Sequence, residues 1–136
     1  MAAKQYTIPD DCAYTTTDEW VRVDESMVRM GISDYAQSEL SDITFVELPE
    51  VGTQVEKGEA FGVVESVKAV ADLIAPVSGE IVEVHAALEE HPEWVNEDPY
   101  GRGWIVCIAP EDLESVDGLM SAADYQKSIA ERSSGS

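Results

Sequence analysis

The chain has 136 residues, 44% hydrophobic and 26% charged, with nine Gly and six Pro. That is the size and make-up of one globular domain with a core, and it excludes a fibrous or disordered class. Twenty-eight acidic against eight basic residues give a formal net charge of −20, which leaves too few cations for a nucleic-acid or anionic-membrane surface. The same acidity suits steering toward basic rims on larger protein partners.

No stretch approaches the roughly 18 apolar residues of a membrane span. The first residues, Met1-Ala2-Ala3-Lys4-Gln5-Tyr6, have neither a signal-peptide run nor transit-peptide character. A cytoplasmic protein is expected, with a processed mitochondrial-matrix protein as the alternative. Residues 1–13 read as an N-terminal arm, 14–130 as a single domain and 131–136 as a disordered polar tail.

Trp20-Val21-Arg22-Val23 alternates apolar and polar, Asp24-Glu25-Ser26 is turn chemistry, and Met27 to Ile32 resumes the strand pattern, so a β-hairpin is predicted. Ser33 or Asp34 caps a short helix through Leu40, with Gln37 in capping-box position. Ile43 to Leu48 is the next strand, stopped by Pro49. Phe61 to Ser66 and Val70 to Ala75 form a second hairpin, flanked by Val51-Gly52-Thr53-Gln54-Val55 and Gly79 to Val84. Ala86 to Glu90 forms one helical turn, Asn96 to Gly101 is dense turn chemistry, and Gly103 to Ala109 is the last strand. Beyond Pro110 the period becomes helical, and Ser121 caps a final helix whose Tyr125 and Ile129 share a face. The pattern is that of a mainly-β barrel or sandwich with peripheral helices.

No nucleophile–base pair, phosphate-cradling Gly loop or metal-ligand spacing stands out. Cys12 and Cys107 are far apart, which argues against a metal site or redox dithiol, and Cys107 reads as an incidental free thiol. The remaining reactive handle is Lys68, at the tip of the second hairpin in Glu65-Ser66-Val67-Lys68-Ala69. A Schiff-base lysine requires burial, whereas this turn presents an exposed amine. Such a lysine suits modification by another enzyme, with Ser66, Val67 and Ala69 leaving the approach open and Glu65 supplying a negative flank.

The Lys68 segment, followed by Ala71-Asp72 and Ala75-Pro76-Val77-Ser78-Gly79-Glu80, resembles the lipoyl-attachment hairpin of the glycine cleavage system H-protein family. The resemblance extends through Glu19-Trp20-Val21, Gly31-Ile32-Ser33-Asp34-Tyr35-Ala36-Gln37, Phe45-Val46-Glu47-Leu48-Pro49, Val95-Asn96-Glu97-Asp98-Pro99-Tyr100-Gly101 and Gly103-Trp104. It implies a mainly β, lipoyl/biotinyl-domain-like hybrid barrel-sandwich of two small antiparallel sheets, with peripheral short helices and a C-terminal helix. It implies a non-catalytic lipoyl-carrier domain with covalent lipoate on Lys68 as N6-lipoyllysine; the sequence leaves oligomeric state open, with a monomer as the default. The implied cargo is an aminomethyl group, taken up at a PLP-dependent glycine decarboxylase and passed to a tetrahydrofolate-dependent aminomethyltransferase. Dihydrolipoamide dehydrogenase reoxidises the dithiol, and lipoate-attaching enzymes load the lysine.

The resemblance also places Glu19 and Asp72 in a cleft that holds the loaded arm. Two departures accompany it. The family usually reads His-Glu-Trp where this chain has Asp18-Glu19-Trp20, and Cys107 replaces a commonly basic residue, read as surface drift. Biotin-carrier domains resemble Met-Lys-Met at the tip, and 2-oxoacid dehydrogenase lipoyl domains more often Asp-Lys-Ala without the C-terminal helices. An H-like lipoate donor or redox adaptor remains the rival reading, because it needs the same lysine and fold.

Overall fold

Strand pairing follows the alternation in the sequence and divides the chain between two antiparallel sheets. In a computed structural model that describes residues 5–134, the larger sheet joins β1 (Ala13–Tyr14), β2 (Glu19–Asp24), β3 (Met27–Ile32), β9 (Val106–Pro110), β8 (Gly79–Val84) and β5 (Gln54–Val55), in that spatial order. The smaller sheet joins β4 (Ile43–Glu47), β6 (Ala60–Ser66) and β7 (Val70–Ile74). Helices α1 (Asp34–Leu40), α2 (Trp94–Glu97) and α3 (Ala122–Ser134) sit at the margins, with 3-10 turns at Ala86–Glu89 and Leu113–Gly118. This is the expected mainly β architecture of two small sheets, short helices and a C-terminal helix.

The inward faces of the sheets supply the main core, with Val28, Met30, Val46, Val64, Leu73, Ile81, Val106 and Ile108 all buried. Their period-2 spacing fixes strand register, since a one-residue slip would turn every one of them to water. A second cluster, Cys12, Tyr14, Trp20, Tyr125 and Ile129, lies beneath α3. There the Tyr14 and Tyr125 rings stack at 4.5 Å with 2° between planes. The residues leading into and out of the lysine hairpin pair directly, Gln54 with Glu80 and Val55 with Gly79.

Several expectations are corrected. The last strand starts at Val106 rather than Gly103, because Gly101 to Gly103 turn back on Asp98, whose carbonyl accepts the Gly101 and Gly103 amides. Asn96 and Glu97 are helical, and the Asn96 side chain accepts the Ile43 amide at 2.9 Å while donating to Gln37 and the Ser41 carbonyl. Cys107 is buried at 2% exposure, so the departure there lies in the interior and not on the surface. Residues 131–134, assigned to the tail, continue α3, with Arg132 anchored on Asp18. Residues 1–4 of the arm and 135–136 of the tail lie outside the described residues. The rest of the arm is tied down: Cys12 is buried, and the Tyr100 hydroxyl donates to the Thr7 carbonyl at 2.7 Å.

Candidate functional site

The Lys68 turn is ordered by the serine two residues before it. Ser66 Oγ accepts the amides of Lys68 at 3.1 Å and Ala69 at 2.9 Å, and the Ser66 amide donates to the Ala69 carbonyl at 2.8 Å, closing the loop. The Val67 amide is fixed on the Asp42 carbonyl at 3.0 Å. Below the tip, Glu65 pairs with Val70 on one side and Phe45 on the other. Val67 and Val70 are 69% and 66% exposed, and Lys68 and Ala69 are exposed with them. The sequence reading assigned Ser66 only smallness and missed its part in the turn. Its spacing, a serine opening a four-residue hairpin loop, was the available signal.

From this tip the Lys68 side chain folds back, and Nζ donates to the Glu39 carbonyl at the end of α1, 3.1 Å away. Glu39 lines a cleft of about 200 Å³ whose walls come from three elements. Thr17, Asp18, Glu19 and Ile32 form the first wall, Ala36, Glu39 and Leu40 of α1 the second, and Val64, Ala71, Asp72 and Leu73 of the lysine hairpin the third. Glu19 and Asp72, predicted to share a cleft, therefore do so although they belong to different sheets. Glu65, Ser66, Val67 and Ala69, the expected attachment motif, lie outside the cleft lining.

The two carboxylates differ in kind. Asp72 is exposed, whereas Glu19 is 1% exposed, and burial pushes its carboxyl up to about 7. The Thr15 and Thr17 hydroxyls both donate to Glu19 Oε1 and pull that value down, while nearby Asp18 pushes it up. A carboxyl poised near neutrality and facing a cleft has an environment that rewards a cation. Ile32, Ala36, Leu40, Val64, Ala71 and Leu73 supply the apolar part of the lining, and Thr17, Asp18 and Glu39 add further polar groups to it.

These residues fit an acyl chain ending in a dithiolane: an accessible amine for the amide bond, apolar side chains in the neighbouring cleft, and carboxylates in the same cleft for a cationic cargo. A larger concavity of about 350 Å³ lies across the Thr15–Thr17 segment, lined by Ile74, Pro76, Leu119 and Met120 with Lys57 as its charged residue. It contains neither Lys68 nor the two carboxylates. Among the described residues, no group of three or more His, Cys, Asp or Glu could hold a metal ion, and no helix is long and apolar enough to cross a membrane.

The family model described as glycine cleavage H-protein matches residues 12–132. A glycine cleavage system H protein from Geobacillus kaustophilus is 54% identical over 123 residues, covering 90% of this chain and 97% of the relative. One from Thermus thermophilus is 56% identical over 120 residues, covering 88% and 94%. Among solved structures, a glycine cleavage system H protein from Mycobacterium marinum superimposes with a TM-score of 0.84 at 42% identity, covering 90% of this chain and 99% of that one. Extended over nearly the whole chain, and joined to an exposed lysine above a carboxylate-lined cleft, these likenesses lead to one conclusion: the chain belongs to the glycine cleavage H-protein family.

Proposed function

We propose that this chain is the lipoyl-bearing shuttle of the glycine cleavage system in a bacterial cytoplasm, and that Lys68 is its attachment site. The carrying observation is the position of Lys68 Nζ, exposed on an ordered turn and within hydrogen-bond reach of the cleft that contains Glu19 and Asp72. The partners are the PLP-dependent glycine decarboxylase, the tetrahydrofolate-dependent aminomethyltransferase, dihydrolipoamide dehydrogenase and the lipoate-attaching enzymes. When bound, the lipoyl group supplies a reversible thiol–disulfide step and a long tether, neither of which a side chain of this chain offers.

The chain's own residues do the rest. Ser66 and the Asp42 carbonyl hold the turn so that a modifying enzyme meets a fixed backbone, and Glu65, Val67 and Ala69 form the surface beside the amine. Acylation removes the lysine's charge but leaves one N–H on the nitrogen, so the hydrogen bond to Glu39 stays chemically available. Ile32, Leu40 and Val64 give the arm apolar surface to lie against. An ammonium arriving in the cleft favours the ionised form of Glu19, and the Thr15 and Thr17 hydroxyls hold the carboxylate oxygen in place.

Reconstitution tests this reading. The lipoylated chain, mixed with the decarboxylase, should support glycine–bicarbonate exchange, and Lys68→Arg should support none. Full lipoylation of Lys68 without exchange would replace the shuttle by a lipoate-donor or redox-adaptor role.

A further inference from the structure

The acid at position 18, which departs from the family pattern, has a partner from the far end of the chain. Arg132 in α3 places Nη2 2.8 Å from Asp18 Oδ1 and Nη1 3.2 Å from Oδ2, a two-pronged pair. A neutral His there has a single acceptor nitrogen and could not take both N–H groups. The Tyr125 hydroxyl, also from α3, donates to Asp18 Oδ1 at 2.9 Å and lies 2.6 Å from Ser33 Oγ. Ser33 is fully buried; its amide donates to the Asp18 carbonyl at 2.9 Å, and its Oγ accepts the Ala36 amide at 3.1 Å as the N-cap of α1. Arg132 also lies over the Tyr35 ring of α1 at 4.9 Å. Asp18 itself sits at φ +73°, in the left-handed region that Asp enters more readily than most non-glycine residues.

One helix therefore grips two walls of the cleft: the segment that carries Asp18 and Glu19, and the start of α1, which carries Ala36, Glu39 and Leu40. We propose that α3 is a strap that sets the width of the cleft, with Asp18, Tyr125 and Arg132 as positioning residues for Glu19. This rests on the reading of the cleft as the resting place of a cationic cargo. The strap leaves the chemistry of the cleft unchanged; it fixes how closely the α1 wall faces the buried carboxyl. Tyr125 is suited to it because its ring is locked against Tyr14, so the hydroxyl is delivered at a fixed height.

The test uses the full, unmodified chain and the double variant Tyr125→Phe/Arg132→Met, which keeps the ring stack and removes both polar links. Amide hydrogen exchange at Ser33 and Ala36 reads the strap, and methylammonium is the probe for the cleft, followed through the side-chain carboxyl resonances of Glu19 and Asp72 at a fixed, mildly alkaline pH. Exchange at Ser33 and Ala36 should accelerate about tenfold or more while β6 and β9 keep their rates. Methylammonium affinity should fall roughly threefold or more, and Tyr125→Phe with Arg132 intact should lose less, because the two-pronged pair remains. Unchanged exchange at Ser33 and Ala36, equal acceleration throughout the sheets, or unchanged affinity despite faster local exchange would each overturn the strap. If the parent chain binds no methylammonium, the cleft reading fails instead, and the exchange pattern alone decides the strap.

Discussion

Lys68 and Glu39, 29 residues apart in sequence, meet in a 3.1 Å hydrogen bond from the lysine amine to the carbonyl near the C-terminal end of α1. The contact gives the exposed side chain a direction: from the tip of one sheet toward a cleft shared with the other. Its energetic weight is small, because both partners are exposed to water. Lys68→Arg should therefore stay within about 0.5 kcal/mol of the parent in denaturant unfolding while losing all lipoylation by a lipoate ligase. A large loss of stability would mean that the lysine packs in the core.

Glu19 gives the cleft a pH signature. Its carboxyl is raised from 4.5 to about 7, chiefly by burial, so the folded state holds a proton that the unfolded chain releases. The associated stability is fully present below pH 4.5 and is lost as pH rises through about 7, an effect of about 3 kcal/mol. Glu19→Gln keeps an acceptor for the two threonines and removes the titration. Its thermal midpoint should match the parent at pH 4.5 and exceed it at pH 8; a parallel pH dependence in both proteins would show that Glu19 is solvated.

The threonines act in the opposite direction to burial. Thr17→Val removes one hydroxyl donor from Glu19 Oε1 and should move the carboxyl midpoint above about 7. A carbon-13 titration of the Glu19 side chain reads this directly. A midpoint that falls instead would mean that the change admits water faster than it removes the hydrogen bond.

Gly79, which follows the lysine hairpin, is required for packing and not for a special backbone angle. A Cβ there would sit 2.2 Å from the carbonyl oxygen of Ala109 in β9, a backbone atom that cannot rotate aside. Gly79→Ala should cost about 1–3 kcal/mol, or more if the β8–β9 pairing splits, as measured by urea unfolding. Gly52→Ala has open space around its Cβ and meets only the strain of φ +96°, so it should cost less.

Local patterns in the sequence carried most of the strands, the Ser33 cap of α1 and the Ser121 cap of α3, because alternation and capping chemistry act between near neighbours. The Asp124 amide donating to Ser121 Oγ at 3.2 Å is the cap read from spacing alone. The contacts the sequence left open are long-range ones. Asp18 and Arg132 are separated by 114 residues, and nothing near either position specifies the other. Tyr125 was legible as a core residue but not as a bridge, since its hydroxyl finds Ser33 and Asp18 only after α3 has packed against β1 and β2. The burial of Cys107 was likewise hidden, because Val106, Cys107 and Ile108 are all buried, and a short apolar run does not say whether one face of its strand or both are covered.

Everything proposed for the cleft depends on Lys68 being the lipoylated residue of this chain. Intact-mass measurement on protein isolated from its own cell, followed by peptide mapping, decides this. A single lipoyl addition located on Lys68, absent in Lys68→Arg, is the expected result. A mature, abundant protein whose Lys68 is never acylated, or an addition located on another lysine, would contradict it.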